Sequence, residues 1–157
     1  MSRSLQAPPE AVAAQRKASD PAHSAWVSAN AGSGKTYVLA RRVVRLMLAG
    51  TPPGAILCLT FTKAAAATMA NRVFELLGQW ALMDDATLRA TLHELDANHH
   101  DAAALARARR LFAQALETPG GLKVQTIHAF CERVLHQFPF EANVASQFTV
   151  LDELSHG

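Results

Sequence analysis

The stretch SAWVSANAGSGKT, residues 24–36, decides the fold. A short apolar run, SAWVS, precedes a turn that consists of Ala29, Asn30, Ala31, Gly32, Ser33, Gly34, Lys35 and Thr36. Behind the turn, Leu39, Val43 and Met47 recur at helical spacing, which predicts a helix over residues 36–49. The turn matches the pattern GxxxxGK followed by threonine, with alanine in place of the first glycine. A strand, a glycine-containing turn and a helix in this order predict a phosphate-binding loop.

The residue types of this loop suit a bound nucleoside triphosphate with its magnesium ion. Gly32 and Gly34 allow the backbone to curl, so that successive N–H groups point at one phosphate. The positive N-terminal end of the following helix adds to that anion site. Lys35 is expected to reach the β- and γ-phosphates, and the Thr36 hydroxyl is expected to ligate Mg²⁺. ATP and Mg²⁺ are therefore the predicted cofactors, with Lys35 and Thr36 as the predicted catalytic residues.

The rest of the chain alternates apolar runs with helical patterns, which predicts an α/β domain with a parallel sheet. Further strand candidates are residues 55–61 (AILCLTF), 122–126 and 148–151. Further helix candidates are residues 10–17, 63–77, 84–117 (two helices divided near 98–100) and 127–138. Gly50 and the two prolines after it are expected to end the helix that follows the loop. We expect residues 1–9 to be a flexible arm and residues 10–157 to form one domain.

Composition places the chain among globular proteins, with 50% hydrophobic and 18% charged residues. A net charge of +2 does not by itself indicate a nucleic-acid binder, so such a function requires a local site. The two cysteines, Cys58 and Cys131, form no CxxC pair, which excludes a disulfide scaffold and favours a reducing compartment. Because no membrane segment or secretory signal is evident, we expect a cytoplasmic protein that does not contact membranes.

Two further motifs follow the second and third strand candidates: LTFTKAAAATMANRV at residues 59–73 and VQTIHAFCERVL at residues 124–135. Together with ANAGSGKT and the preceding Gln15, they resemble in order the N-terminal motifs of UvrD/Rep-like superfamily 1 DNA helicases. The resemblance is closest to the AddA-type subunit of bacterial double-strand-break repair helicase–nucleases, and it extends from Gln15 onward. It implies an incomplete P-loop RecA-like parallel sheet with flanking helices. This is the N-terminal part of helicase domain 1A, with residues 84–117 as a helical insertion.

The resemblance also implies roles for single residues. Gln15 is expected to recognise the adenine edge, because an amide offers both a donor and an acceptor to one base. The cofactor-binding set is then Gln15 with residues 29–36. Aromatic, hydroxyl and lysine side chains suit stacking and phosphate contacts with single-stranded DNA. The expected DNA-binding residues are Thr60, Phe61, Thr62, Lys63, Thr126, His128 and Phe130.

Each of these roles has a structural alternative. Gln15 has the alternative of a surface residue on a short helix. Phe61 has the alternative of ordinary core at a strand end, and His128 that of a helix-start histidine without a ligand. Thr68 is a departure, since related helicases commonly carry an acid at that position.

The expected activity of the intact enzyme is ATP-driven movement along single-stranded DNA and unwinding of duplex at broken ends. Its expected partners are DNA and a second, AddB-type subunit. The acidic magnesium motif, the second RecA-like domain and the nuclease domain of such enzymes are not found in these 157 residues. The isolated chain is therefore expected to bind ATP weakly and to hydrolyse little. The alternatives are a small P-loop kinase that uses Asp152 or Glu153, and a nucleotide- or DNA-binding remnant without hydrolysis.

Other features have both a functional and a structural interpretation, and the structural one is preferred. Residues 148–153, FTVLDE, imitate a strand followed by the magnesium-binding acids of an ATPase, but we expect a lead-in to the next subdomain. The metal-ligand types His93, His99, His100 and Asp101 are expected to form a polar loop, and a solvated helix face is expected for Arg107, Arg109 and Arg110. The expected core includes Cys58, Trp26 and Trp80.

Overall fold

The chain forms an α/β fold in which helices surround a small parallel sheet. The computed structural model describes residues 8–28, 34–145 and 147–148. The helices within them are α1 (Pro9–Ala18), α2 (Lys35–Leu48), α3 (Lys63–Leu82), α4 (Asp85–Asp96), α5 (Ala102–Glu117) and α6 (Ile127–Gln137). The strands are β1 (Leu57–Thr60) and β2 (Lys123–Thr126), and a short 3₁₀ turn, Pro53–Ala55, precedes β1. None of the described helices combines the length and the apolar character that crossing a membrane requires.

The two strands pair in parallel, as their sequence positions predicted. Leu57 lies opposite Lys123 and Thr60 lies opposite Thr126, so both strands end at the same level. The chain between them passes through α3, α4 and α5. A parallel pair requires such a long crossover connection, and its two carboxyl ends lie at one edge of the sheet. The residues that follow β1 and β2 are thereby brought side by side.

The first predicted strand, residues 24–28, is wrong. These residues adopt no regular secondary structure, and Trp26, a predicted core residue, is 96% exposed. A strand needs a neighbour to receive its backbone hydrogen bonds, and among the described residues β1 and β2 pair only with each other. The expectation that β1 is fully buried is also wrong, because Leu57 and Leu59 are 42% and 44% exposed.

The predicted end of α2 at Gly50 is confirmed. Gly50 has a φ of 99°, and its N–H donates to the carbonyl of Met47 at 3.0 Å. The N–H of Thr51 reaches the carbonyl of Leu46, also at 3.0 Å. These two bonds form a Schellman motif, which satisfies the last carbonyls of the helix and strongly favours glycine at this position.

Four helices begin at a side chain that accepts a backbone N–H of the first turn, as residues of this type commonly do at helix starts. These N-cap residues are Thr62 of α3, Asp84 of α4, Asp101 of α5 and Thr126 of α6. The amide hydrogen bonds from Thr87 and Ala86, together with the Thr87 hydroxyl, lower the pKa of Asp84. α3 begins at the predicted residue but continues to Leu82, because its last turns bury Leu77 and Trp80.

The core lies between α2, α3 and the helix pair α4–α5. The division of residues 84–117 into two helices is confirmed, and Leu88, Leu92 and Leu105 of this pair are at most 1% exposed. Trp80 is 2% exposed, which confirms its predicted place in the core. Cys58 is partly buried and packs against the core, and this burial raises the pKa of its thiol.

Several predictions concern residues outside the described part of the chain. Residues 1–7 of the predicted arm, the predicted strand residues 149–151, and the two acids Asp152 and Glu153 belong to this group. At the other end of the predicted arm, α1 begins at Pro9, one residue earlier than expected. Proline is well suited to this place, since its missing N–H is unpaired at a helix start in any case.

Candidate functional site

The start of α2 has the features of an anion site. Gly34 is the N-cap residue, with a φ of 86° that favours glycine, and Lys35 and Thr36 form the first turn with exposed side chains. No acidic residue lies in this turn, so the positive end of the helix is not offset locally. Of the predicted loop, residues 29–33 lie outside the described residues.

Gln15 lies against the predicted phosphate loop although 18 residues separate it from residue 33 in the sequence. A methyl group placed on Gly34 would lie 3.6 Å from the side-chain nitrogen of Gln15. The Gln15 side chain is half-buried rather than solvated. The structure thus brings together two predicted cofactor-binding positions, which is the arrangement that contact with one nucleotide requires.

A pocket of about 380 Å³ lies beside Thr36, between α2 and α3. Its other lining residues, which the sequence reasoning missed, are Tyr37, Thr68, Asn71, Arg72 and Glu75. The guanidinium carbons of Arg41 and Arg72 lie 4.9 and 5.9 Å from the centre of the Tyr37 ring, within cation–π range. The spacing of Thr68, Arg72 and Glu75 on one helix face is the signal that was available in the sequence.

A groove of about 330 Å³ connects the start of α2 with the end of β1, and it is lined by Thr36, Leu39, Leu59 and Thr60 among others. Leu39, a predicted core position of α2, is 53% exposed and faces this groove. Thr36 of the phosphate loop and Thr60 of the TFTK motif therefore lie at one surface. This proximity agrees with the rule that ligands of α/β sheets gather at the carboxyl ends of the strands.

The residues of the TFTK motif form the turn between β1 and α3. The Thr60 hydroxyl donates to the carbonyl of Thr62 at 3.0 Å, and the Thr62 hydroxyl accepts from the N–H of Ala65 at 3.1 Å. These bonds fix the turn so that Phe61 is 85% exposed and Lys63 opens α3 with an exposed side chain. The alternative that Phe61 belongs to the core is therefore wrong.

The residues of the TIHAF motif form the start of α6, directly beside the TFTK turn. Thr126 pairs with Thr60, is 7% exposed, and accepts the N–H of Ala129 at 3.1 Å. His128 is exposed, and Phe130 is half-buried. Thr126 thus has a structural role in holding His128 at the sheet edge, and its contact with DNA stays a prediction.

The histidine-containing loop between α4 and α5 agrees with its structural interpretation. His100 and Asp96 form a hydrogen bond of 2.9 Å, and Asp101 caps α5. Burial alone would raise the pKa of Asp96, but hydrogen bonds from Asn98 and His100 lower it overall. Among the described residues, no three histidine, cysteine or acidic side chains are grouped as metal ligands.

The three arginines of α5 have different surroundings. Arg109 donates to the carbonyl of Met83 at 2.8 Å and to the carboxylate of Asp85 at 2.7 Å, so it connects α5 to the start of α4. Arg107 and Arg110 line a groove of about 800 Å³ near the residues that precede both strands. That groove lies at the end of the sheet opposite the TFTK and TIHAF motifs, and the ends of α2 and α5 offset its positive charge.

Comparison with known families agrees with this geometry. The family described as "UvrD/REP helicase N-terminal domain" matches residues 11–156, which include the start of α2 and both motifs at the sheet edge. The chain belongs to this family.

The similarity extends to a particular kind of UvrD-type protein. The chain is 34% identical over 149 residues to the A-type subunit of the ATP-dependent helicase/nuclease of Lactobacillus helveticus, which covers 92% of the chain. It is 35% identical over 131 residues to the corresponding protein from Latilactobacillus sakei, and 31% identical over 139 residues to that from Lactobacillus acidophilus. These matches cover 83% and 88% of the chain. The chain spans only 10 to 13% of the length of these three relatives.

Proposed function

We propose that this chain supplies the ATP-binding part, and part of the DNA track, of an ATP-dependent DNA helicase that acts in double-strand-break repair. The observation that carries the proposal is the meeting of three motifs at one sheet edge. Thr36 and Thr60 line one groove, and Thr60 pairs in register with Thr126. The names of the relatives, which describe one subunit of a helicase/nuclease, support both the reaction and a partner in the form of a second subunit.

The proposed nucleotide site is a P-loop in a RecA-like sheet, at the start of α2. Lys35 and the N–H groups of the first turn would hold the phosphates, Thr36 would ligate Mg²⁺, and Gln15 would bind the adenine edge. The exposed Thr36 hydroxyl and the absence of acids from this turn fit such a ligand. Bound magnesium would supply charge neutralisation at the transferred phosphoryl group.

The proposed DNA site lies on the TFTK and TIHAF turns. Phe61 is exposed enough to stack on a base, and Lys63 and His128 are exposed beside it for contacts with the sugar-phosphate backbone. Because this site adjoins the nucleotide site, ATP binding and DNA binding are expected to influence each other. Hydrolysis also needs a water-positioning group and stabilisation of the γ-phosphate charge, so the isolated 157-residue chain is expected to bind ATP weakly and hydrolyse little.

The test is DNA-stimulated ATP hydrolysis by the longest natural form of the protein that contains these residues. Lys35→Ala is expected to abolish binding of Mg·ATP, whereas Lys123→Ala should leave it unchanged. Lys123 is a matched control because it is an exposed lysine at the opposite end of β2. Equal effects of the two substitutions would refute the nucleotide site, and vigorous DNA-stimulated hydrolysis by the isolated chain would refute its expected inactivity.

A further inference from the structure

α1, which carries Gln15, is attached to the domain without an apolar anchor. None of its ten residues is buried, and the helix that it packs against is α2. A short helix without buried side chains gains little from the hydrophobic effect and is marginal on its own. Its position must therefore come from specific polar contacts.

Arg45 of α2 provides the first group of these contacts. Its guanidinium donates to the carbonyl of Arg16 at 2.8 Å and to the hydroxyl of Ser19 at 3.0 Å, and it lies 3.5 Å from the carboxylate of Asp20. Arg45 is 9% exposed and Ser19 is fully buried. A buried arginine with three partners on one neighbouring segment defines the position of that segment closely, because its planar group requires a fixed geometry.

Arg42, one turn earlier on α2, provides the second group. It donates to the carbonyl of Ala18 at 3.3 Å, to that of Asp20 at 2.6 Å and to that of His23 at 2.6 Å. The last two carbonyls belong to the segment that leads from α1 towards the predicted phosphate loop. Arg42 therefore connects the end of α1, the start of that segment and the helix behind the loop.

The two arginines also complete the C-terminal end of α1. Four carbonyls at a helix end lack partners within the helix, and here they belong to residues 15–18. The N–H groups of Ser19 and Asp20 donate to the carbonyls of Gln15 and Lys17, at 3.0 and 3.2 Å. The two arginines donate to the remaining two, and positive charge at this end is favourable for the helix dipole.

We infer that Arg42 and Arg45 are positioning residues that hold the amide of Gln15 against the phosphate-loop helix and thereby set the base selectivity of the nucleotide site. Gln15 lies one turn before Ser19, so a shift of the α1 end moves its amide directly. That amide lies 3.6 Å from where a methyl group on Gly34 would be, so its place relative to the loop is defined. The inference rests on the proposed function, since it assumes that Gln15 recognises adenine.

The experiment compares binding of Mg·ATP and Mg·ITP by calorimetry, in the longest natural form of the protein. Inosine lacks the 6-amino group of adenine, so the ratio of the two affinities reports the base contact and not the phosphate contacts. Arg42→Met and Arg45→Met are each expected to lower this ratio by about tenfold, which corresponds to about 1.4 kcal/mol. They should lower it no further in a protein that already carries Gln15→Ala.

Arg109→Met is the matched control, since Arg109 also binds a backbone carbonyl and a carboxylate but lies on α5. It should leave the ratio unchanged. If Arg45→Met does not fold, Ser19→Ala removes only one partner of Arg45 and should lower the ratio by a smaller factor. Equal weakening of ATP and ITP by the α2 variants would overturn the inference, because a merely structural role affects both nucleotides alike.

The outcome for Gln15→Ala separates the two levels of the argument. If Gln15→Ala lowers the ratio and the arginine variants do not, the positioning role is refuted and the adenine contact stands. If Gln15→Ala leaves the ratio unchanged, the adenine role of Gln15 is refuted, and the positioning role with it. Loss of all nucleotide binding is the separate signature expected of Lys35→Ala.

Discussion

Phe61→Ala is expected to weaken DNA binding without destabilising the fold. The Phe61 ring is 85% exposed, so its removal uncovers little apolar surface and should change the free energy of unfolding by less than about 0.5 kcal/mol. Stacking of one base on an aromatic ring is worth about 1–3 kcal/mol. The dissociation constant for single-stranded DNA should therefore rise by about 5- to 150-fold.

The assay is fluorescence anisotropy with a labelled oligothymidine at one fixed salt concentration, because phosphate contacts make the affinity strongly dependent on salt. Urea unfolding of the same proteins gives the stability. Phe140→Ala is the matched control, since Phe140 is 87% exposed. The 11-residue helix α6 separates it from the sheet edge, so its removal should leave the affinity for DNA unchanged.

Two results would refute this reasoning. Equal affinities of the Phe61→Ala and Phe140→Ala proteins for DNA would show that the TFTK turn offers no stacking platform. A loss of more than about 2 kcal/mol in unfolding free energy for Phe61→Ala would show that the ring packs against protein rather than facing solvent.

Two further predictions concern stability. Leu92→Ala should lower the free energy of unfolding by about 2–5 kcal/mol in urea titrations, because Leu92 is 0% exposed, whereas Leu82→Ala, at 90% exposure, should change it by less than about 0.5 kcal/mol. Equal losses would contradict the packing of α4 described above. The lowered pKa of Asp96 contributes stability that is fully present above its unfolded-state pKa and is lost as the pH falls through the folded-state pKa. Asp96→Asn should remove this part of the acid dependence in thermal unfolding measured between neutral and acidic pH, and an unchanged pH profile would contradict the role of the Asn98 and His100 hydrogen bonds.

Local patterns predicted the helices well because their signals are contained in a few residues. The end of α2 at Gly50 and the start of α3 after Thr62 depend on backbone conformation and on one capping side chain. The sheet was predicted less well. A strand is stable only beside a partner, and the sequence of residues 24–28 contains no information on which partner is present. The same reason explains Trp26, whose burial was inferred from a strand that the structure does not form.

For the candidate site, the sequence predicted which motifs meet but not what holds them. The pairing of Thr60 with Thr126 follows from two strand signals and the parallel rule. The contacts of Arg42 and Arg45 join positions 19 to 29 residues apart. Nothing in the spacing of α2 distinguishes these arginines from Arg41, whose guanidinium lies over Tyr37 instead. Side-chain direction on a helix decides this difference, and it becomes visible only when the neighbouring segments are in place.

α3 is the element that physically connects the two proposed sites. Its first residue, Lys63, belongs to the DNA-contacting turn, whereas Thr68 and Arg72 on the same helix line the pocket beside Thr36. These positions span about 14 Å along one rigid helix, at about 1.5 Å per residue. A helix moves as a unit, so a displacement of its first turn by DNA also displaces the wall of the nucleotide pocket. Coupling between DNA binding and ATP binding therefore needs no longer pathway than α3 itself.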